Sequence, residues 1–553
     1  MTTKRLKEQF IRLWELNQGQ DQQTTLAQLA EQLHCSARHI RNLLNRMQQQ
    51  QWLRWESHSG RGKRSALYFQ ITAGELRQQQ AEALLEQDQT EQLLQLTGVK
   101  SRVKQMILAR LGRSFRQGRH ILRVPYYRPL LSLLPGSPLR RSETHIARQI
   151  FNGLLRVDER SGEALPDIAH HWQQLSPLHW RFYIRPAVHF HHGRELNVTD
   201  IITSLQRLTC HPLFCHLKSI NSPAAWIVDI HLTSADEWLP WLLGSVAALI
   251  LPAEWQTMPD FCSKPSGTGP YYVVENQKSQ LRIEAFDDYF GYRPLIDNVT
   301  IWVLPEISED LVYRGLTLQG NGSQQTAGER KLEEGCYFML FDERSAVAQR
   351  SAVRRWLSNL LNPEILLQQA ASVHQRFWSP ARGMLPEWRH TQYESLTEKP
   401  ASLTQLSICW YGSHIEHLAI VKIVTPLLAS HGIRLISKEV SYQQWFNGDA
   451  SADLWLGSCN FTAPLDWSVF AQICEIPLFH HCLGDELTLS LPLWHQKKLN
   501  TEQWYRKLHN HHRLLPLFHH WLTLQGQRSM RGIRMNSLGW FDFKSAWFVP
   551  PEL

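Results

Sequence analysis

Basic residues are concentrated at one end of the chain, which indicates at least two parts with different partners. Residues 1–120 contain 19 lysines and arginines against 10 aspartates and glutamates, out of totals of 58 and 50. The remaining residues are therefore close to neutral. At about 100–200 residues per domain, 553 residues predict several domains. A positive excess confined to one domain favours a polyanionic partner for it, although a merely basic surface is the alternative.

Composition and cysteine usage exclude several classes of protein. The longest apolar stretch, residues 238–252, contains Pro240 and Gly244 and is too short to cross a bilayer. The first residues lack the apolar segment of a secretory signal. Nine scattered cysteines, an odd number without a C-x-x-C pair, favour reduced thiols. We therefore expect a cytoplasmic protein with no membrane partner, and not a collagen-like, disulfide-stapled or disordered chain.

Apolar residues at helical spacing predict three short helices near the N-terminus. They cover residues 6–16, 25–33 and 36–49, with a polar break at 17–23 and a tight turn at His34 and Cys35. Two short helices joined by about three residues have the spacing of a helix-turn-helix. The third helix begins at Ser36, whose hydroxyl can cap it.

The outward face of the third helix carries side chains that suit DNA. Arginine forks match guanine edges or phosphates, and asparagine can pair with adenine through two hydrogen bonds. With the capping Ser36, the predicted DNA contacts on this helix are Arg38, His39, Arg41, Asn42, Asn45 and Arg46.

Two strands and a basic turn follow the helices. Residues 52–55 and 66–71 are predicted strands, and the turn between them carries Arg61, Lys63 and Arg64. Such a β-wing can lie along a phosphate backbone, so these three residues complete the predicted DNA interface. The sequence thus predicts a winged helix-turn-helix; a small helical interaction domain with a solvated charged face is the alternative.

A connector separates this module from the rest of the chain. Residues 78–96 are rich in Gln and Glu with interspersed leucines and predict a helix, which packs either on the winged helix or on a second chain. Residues 102–119 are strongly basic and either extend the DNA footprint or form a solvated linker. We expect a DNA-binding domain at 1–75, a helical basic connector at 76–120 and a ligand-sensing domain at 121–553.

The remaining four-fifths alternates short strands with helices and resembles a known family. The segments at 142–172, 180–205, 265–273, 286–306 and 350–367 are similar, in order, to blocks of the family 5 extracellular solute-binding proteins. That family comprises the peptide- and nickel-binding receptors of transporters. The resemblance implies two α/β lobes of the type II periplasmic-binding-protein kind, joined by a hinge that closes over a ligand. The whole chain is then a multidomain protein with α+β and α/β parts.

Two features depart from that family: a signal peptide is missing, and a winged helix precedes the lobes. With them the chain resembles a family of enterobacterial transcription regulators of the sugar-phosphate stress response. This resemblance implies activation of a small regulatory RNA gene and repression of the regulator's own gene. The implied partners are double-stranded promoter DNA, the transcription machinery and a small molecule, with a sugar phosphate as the suspected signal. The oligomeric state stays open.

A third departure concerns the ligand. Peptide-binding members of the solute-binding family carry an Asp-Tyr-Asn-Glu-Pro-like stretch whose Asp anchors the peptide amino group. The corresponding stretch here is residues 460–464, which begins with Asn460. An amide cannot form an ion pair with an ammonium group, so a polyhydroxylated or anionic ligand is favoured. The resemblance then implies that Trp455, Asn460 and Asp466 lie near the cleft.

We expect neither a metal, nor a cofactor, nor catalysis. The densest histidine clusters lie at 189–192 and 509–512, but the first overlaps a structural turn of the solute-binding family. The sequence lacks G-x-S-x-G, a Cys–His nucleophile motif and distinctively spaced carboxylates. Two alternatives remain: a solute or peptide receptor that docks a transporter, which cell fractionation would identify, and an enzyme on a binding-protein scaffold, which turnover of a bound sugar phosphate would reveal.

Overall fold

The structure is a computed structural model that forms two compact units, Met1–Ala109 and Arg110–Leu553. The residues it describes are 3–58, 64–86, 92–93, 111–116, 118–305, 316–317, 329–412, 414–525 and 530–549.

Among its described residues, the first unit has four helices and a small antiparallel sheet in the order β1-β3-β2. Its elements in chain order are α1 (Thr3–Leu16), β1 (Gln22–Thr24), α2 (Leu26–Gln32), α3 (Ala37–Gln49), β2 (Leu53–Glu56), β3 (Ser65–Phe69) and α4 (Ala73–Glu86).

The apolar faces of α1, α2 and α3 form one core with the sheet. Phe10 of α1 is fully buried against Trp52, with ring centroids 5.6 Å apart. The inward residues of α3, Ile40, Leu43, Leu44 and Met47, are all buried. The predicted winged helix-turn-helix is therefore confirmed. One strand was not predicted: β1 lies in the expected polar break and pairs with β3, because its backbone completes the sheet edge.

The second unit contains most of the strands. They are β4 (Gly112–Arg116), β5 (Arg119–Tyr126), β6 (Leu155–Val157), β7 (Ala164–Pro166), β8 (Ala169–Ser176), β9 (His179–Ile184), β10 (Leu217–Asn221), β11 (Ile227–Leu232), β12 (Tyr271–Asn276), β13 (Gln280–Ala285), β14 (Asn298–Val303), β15 (Leu316–Thr317), β16 (Glu329–Leu332), β17 (Gly335–Phe341), β18 (Trp378–Pro380), β19 (Gln405–Tyr411), β20 (Arg434–Val440), β21 (Leu454–Asn460), β22 (Leu514–Gln525), β23 (Met530–Arg531) and β24 (Trp547–Phe548).

Helices of the second unit cluster in its C-terminal half. They are α5 (Arg141–Ile150), α6 (Val198–Gln206), α7 (Leu239–Leu242), α8 (Ser351–Leu360), α9 (Pro363–Gln369), α10 (Ser372–Phe377), α11 (Ile415–Ser430), α12 (Tyr442–Asn447), α13 (Leu465–Glu475), α14 (Pro477–Leu483), α15 (Glu486–His495) and α16 (Thr501–Asn510). Within the described ranges, no helix is long and apolar enough to cross a membrane.

The first lobe is built on two sheets. A five-stranded sheet has the order β12-β13-β14-β5-β4, in which β14 and β5 run parallel, and a four-stranded antiparallel sheet has the order β10-β11-β9-β8. Strand β4 forms a hairpin with β5. Residues 112–116, expected in the connector, thus belong to the sheet of the second unit. The expected connector helix over 78–96 starts earlier, at Ala73, and residues 87–91 and 94–96 lie outside the described residues.

The second lobe is built on one large sheet. Its main path is β15-β22-β17-β21-β19-β20, and β16 and β18 also pair with β22. Strand β17 is buried along its whole length because helices and loops cover both faces. A hydrophobic core continues from the four-stranded sheet into α13–α16 of the second lobe, so the two lobes share buried contacts.

Close packing at the middle of the large sheet requires a glycine. A Cβ atom added to Gly457 on β21 would lie 2.2 Å from Trp445 Cζ2 and 2.9 Å from Phe338 Cζ. Trp445 is fully buried, so a shift of its ring would disturb the close-packed residues around it.

We expect Gly457→Ala to destabilise the second unit by about 1–3 kcal/mol, because overpacking forces side chains from their rotamers. Urea unfolding followed by tryptophan fluorescence measures this. Gly74→Ala in α4 is the control, since its added methyl would meet only Thr72 Oγ1 at 3.7 Å and should leave the second unit unchanged. Equal stability of Gly457→Ala and the parent would contradict the packing argument.

Candidate DNA interface and ligand cavity

Helix α3 begins at a capped residue. The Ser36 hydroxyl accepts a hydrogen bond from the His39 backbone N–H at 3.2 Å, which satisfies one of the free N–H groups of the first turn. The residue is thus a cap in this structure, and its side chain fixes where the helix starts. Helix α2 is held in the same way by a capping box between Thr25 and Gln28.

The six residues predicted to read DNA from α3 all lie on its solvent face. Their side chains are exposed, whereas the four apolar residues between them are buried. The exposed set is Arg38, His39, Arg41, Asn42, Asn45 and Arg46. A convex, basic helix face of this kind fits the width of a major groove.

Both strands of the wing lie within the described residues. Strands β2 and β3 pair antiparallel from Leu53 with Phe69 to Glu56 with Ala66. Arg54 stacks over the Tyr68 ring at 4.7 Å, and Arg64 is exposed beside the first residue of β3. Arg61 and Lys63, the other two predicted wing contacts, lie outside the described residues.

A cavity of about 190 Å³ lies between the two lobes of the second unit. The first lobe contributes the segment after β5 and one face of α5. The second lobe contributes the ends of β19 and β21 together with α12 and α13. The polar and aromatic residues that line it are Tyr126, Tyr127, Arg128, Ser137, Arg140, Arg141, Thr144, Arg148, Ser245, Tyr411, His414, Tyr442, Phe446, Ser458, Asn460, Thr462, Trp467, Ser468, Gln472, Glu475 and Ser537.

Two of the four lining arginines share one carboxylate. Both terminal nitrogens of Arg128 donate to the two oxygens of Glu143, and Nη2 lies 2.8 Å from Oε2. Arg140 Nη2 lies 3.6 Å from Glu143 Oε1, and its guanidinium also stacks over the Tyr442 ring at 5.3 Å. Glu143 is buried and does not line the cavity. The positive groups therefore form the wall and their counter-charge lies behind it.

The other two arginines follow the same arrangement. Arg148 pairs with Glu159 at 2.9 Å, and Arg141 lies 3.6 Å from Glu333. Neither carboxylate lines the cavity. Arg141 and Arg148 are two turns apart on α5, which explains why they share one face.

Asn460 ends β21 and lines the cavity beside this network. Its Nδ2 donates to Glu333 Oε2 at 2.8 Å, while the His520 backbone N–H donates to Glu333 Oε1 at 3.1 Å. Burial raises the pKa of Glu333 to about 7, and the charge of Arg141 and the bond from Asn460 act in the opposite direction.

The other two residues predicted near the cleft lie elsewhere. Trp455 is fully buried, and its indole N–H donates to Asp342 Oδ2 at 2.9 Å, so its role is packing within the sheet. Asp466 is exposed at the start of α13, and its backbone oxygen accepts a bond from the Thr501 hydroxyl. Strand alternation could not show which way Trp455 faces, because β21 is covered on both faces. Arg141 and Arg148 of α5 are not among the site residues predicted from the sequence, although their i, i+7 spacing indicates that they share one face of a helix.

Histidines of the 189–192 cluster are bound to the surrounding backbone and side chains. His191 Nε2 lies 3.0 Å from the Gly269 carbonyl, and His192 Nδ1 lies 2.7 Å from the Ser266 hydroxyl. Both contacts join the turn after β9 to the loop before β12.

Comparisons with known proteins identify both units. The family model "Sugar transport-related sRNA regulator N-term" matches residues 5–118, and "Bacterial extracellular solute-binding proteins, family 5 Middle" matches residues 163–371. The chain is 56% identical over 552 residues to the HTH-type transcriptional regulator SgrR of Yersinia enterocolitica, with 100% of both chains covered. It is 54% identical, with the same coverage, to the protein of that name from Escherichia coli O6:H1.

Solved structures show the fold of the second unit. The Escherichia coli murein tripeptide binding protein MppA superposes with a TM-score of 0.63 at 13% identity, over 80% of this chain and 100% of that one. The oligopeptide-binding protein AppA of Bacillus subtilis gives 0.64 at 15% identity, over 78% and 100%. The predicted two-lobe, type II binding-protein fold is thereby confirmed.

Glu333 should make stability depend on pH. A carboxyl whose pKa rises from 4.5 in the unfolded chain to about 7 in the folded one favours folding less as pH increases through that interval. At about 1.4 kcal/mol per pKa unit, the free energy of unfolding of the parent protein should fall by roughly 2–3 kcal/mol between about pH 5 and pH 8. Glu333→Gln should not show this fall. Chemical unfolding at both pH values measures it, with the exposed Glu398→Gln as control. An unchanged pH dependence in Glu333→Gln would contradict the assignment.

Proposed function

The chain belongs to the SgrR family of transcriptional regulators, and we propose that it regulates the sugar-phosphate stress response from the cytoplasm. In this proposal it activates a small regulatory RNA gene and represses its own gene. The second unit senses the signal, and a sugar phosphate is that signal. The winged helix carries the response to promoter DNA.

The four-arginine wall of the cavity is the observation that supports this ligand. Arginine is suited to phosphate because its planar fork can donate two parallel hydrogen bonds. The carboxylates that balance these arginines lie behind them, and Glu475 is the one carboxylate among the lining residues, so an anion in the cavity meets four guanidinium groups against one carboxylate. Ser458, Thr144 and Asn460 offer the donors and acceptors that sugar hydroxyls need.

The size of the cavity favours a small metabolite over a peptide. Drug-sized ligands occupy pockets of about 300–1,000 Å³, and this cavity measures about 190 Å³. By its resemblance to the solute-binding family, Asn460 corresponds to the aspartate of the peptide-binding members. Both observations support a ligand other than a peptide.

At the promoter, α3 enters the major groove. Arg38, Arg41 and Arg46 read guanine edges or hold phosphates, and Asn42 and Asn45 read adenine. His39 and Ser36 lie at the start of the helix, where contacts to the DNA backbone are common. Arg61, Lys63 and Arg64 of the wing bind phosphates, which orient the protein without specifying sequence.

Regulation then follows from a shift between open and closed lobes. A ligand that contacts both lobes binds the closed state more tightly than the open one. The difference between these two affinities sets how far the ligand shifts the population toward the closed state. The shift alters transcription because the two states differ in a contact made by the DNA-binding domain, by the transcription machinery or by a second copy of the chain.

The ligand is tested by calorimetric titration of the full chain with glucose 6-phosphate, glucose and a dipeptide. We expect saturable binding of the phosphate alone. Arg148→Gln should weaken it at least about tenfold, since a hydrogen bond to a charged group contributes about 1.5–3 kcal/mol. Arg160→Gln, an exposed residue outside the cavity, is the matched control. Binding of the dipeptide without the phosphate would reject the ligand class and the interpretation of Asn460.

The DNA interface is tested by promoter titrations at several salt concentrations. Arg41→Ala should cost about 1–3 kcal/mol and relax specificity at one base pair. Arg61→Ala with Lys63→Ala should weaken all sequences alike and lower the salt slope by about two. Arg5→Ala, exposed on α1, is the control. An unchanged slope in the double variant would mean that the wing does not contact phosphates.

A further inference from the structure

Three ionisable side chains meet in the interior where the four-stranded sheet joins the C-terminal helices. His216 precedes β10, Asp236 follows β11, and His495 is the last residue of α15. Each is at most 4% exposed, and each offers one ligand atom within 4.8 Å of the others. None of the three lines the cavity between the lobes. The proposed regulation therefore makes no use of them.

Contacts from outside the triad orient two of its members. The Trp238 backbone N–H donates to Asp236 Oδ1 at 2.7 Å, which leaves Oδ2 toward His216 Nε2 at 3.0 Å. The His495 ring hydrogen-bonds the backbone of Leu213, whereas its Nε2 is buried with no hydrogen-bond partner among the described residues. Histidines that bind metals typically donate their other ring nitrogen to a carbonyl or carboxylate. His495 has this arrangement, with Nε2 left to ligate.

The spacing of the three side chains also suits a metal ion, since their ligand atoms all lie within 4.8 Å of one another. Ligand atoms at about 2.0–2.2 Å from one Zn²⁺ lie roughly 3–4 Å apart, so side-chain shifts of about 1 Å complete the site.

A second triad, on strands β9 and β11 of the four-stranded sheet, provides a contrast. His179, Asp229 and His231 also approach one another. There, however, Arg181 donates to both oxygens of Asp229, at 2.7 and 2.8 Å. A guanidinium that occupies the carboxylate and adds positive charge disfavours a cation, so this triad is the weaker candidate.

The first triad joins two parts of the fold that are far apart in sequence. The Glu237 backbone N–H donates to the His495 carbonyl at 2.8 Å. Trp238 stacks on Trp494 with ring centroids 6.2 Å apart, and Lys497 Nζ lies 4.1 Å from the Trp238 ring centroid. The end of α15, in the second lobe, is thus docked on the loop after β11 in the first.

We propose that His216, Asp236 and His495 bind a divalent transition-metal ion, with Zn²⁺ as the best match to two imidazoles and one carboxylate. Zinc prefers nitrogen and oxygen ligands in a four-coordinate site, and a water molecule supplies the fourth position. Because the ligands come from both lobes, the metal holds the lobes together and favours their closed arrangement.

The test is a zinc titration of the metal-stripped, full-length protein by calorimetry, with a thermal melt at each end point. We expect a site of one equivalent and a higher Tm for the second unit when Zn²⁺ is bound. His495→Gln and His216→Gln should each weaken this site by more than roughly 100-fold and abolish the Tm increase. His231→Gln, in the contrasting triad, is the matched control and should bind as the parent does.

The spectrum of bound Co²⁺ distinguishes metal binding at this site from metal binding by the nine free cysteines. Co²⁺ bound by the triad should show visible d–d bands without a thiolate charge-transfer band. Three results would overturn the proposal: no stoichiometric Zn²⁺ in the parent protein, binding that survives in both His216→Gln and His495→Gln, or a thiolate band. The parent titration alone is decisive if a variant fails to fold.

Discussion

The buried pair of Arg128 and Glu143 is the interaction on which the rest of the cavity depends. It connects the segment after β5 to the first turn of α5, and through Glu143 it also holds Arg140 at the wall. Removing one partner of a buried ion pair typically costs about 3–5 kcal/mol, because the other charge is left without compensation. The pair therefore fixes the direction of α5, and the direction of α5 fixes where Arg141 and Arg148 face.

The two units solve different recognition problems with the same residue type. On α3 the arginines are exposed on a convex helix, where they can reach the edges and backbone of a long polyanion. In the cavity they are partly buried around about 190 Å³, with their carboxylates behind them. Solvent screens the first set, whereas burial strengthens the electrostatics of the second. Affinity for DNA should therefore respond to salt more strongly than affinity for a small anion.

Local patterns were sufficient for the winged helix and insufficient for the cavity. The apolar residues of α3 alternate with polar ones at a helical period, so its inward and outward faces could be assigned from sequence. The period of β21 carries no such information, because Leu454–Asn460 is covered on both sides. The expectation that Trp455 lies near the cleft rests on the family resemblance alone, and the structure has this residue in the core. The triad of His216, Asp236 and His495 has no sequence signature, since its members come from three separate segments. Histidines adjacent in sequence, such as His191 and His192, instead bind their neighbouring loops.

Glu333 links the cavity to proton concentration. Its pKa of about 7 lies close to neutral pH, and its side chain lies beside Arg141 and Asn460. An anion bound against Arg141 would draw the guanidinium away from Glu333 and add negative charge nearby, and both effects raise the affinity of that carboxylate for a proton. Occupying the cavity would thus take up a fraction of a proton, so that the heat of binding would vary with the ionisation enthalpy of the buffer.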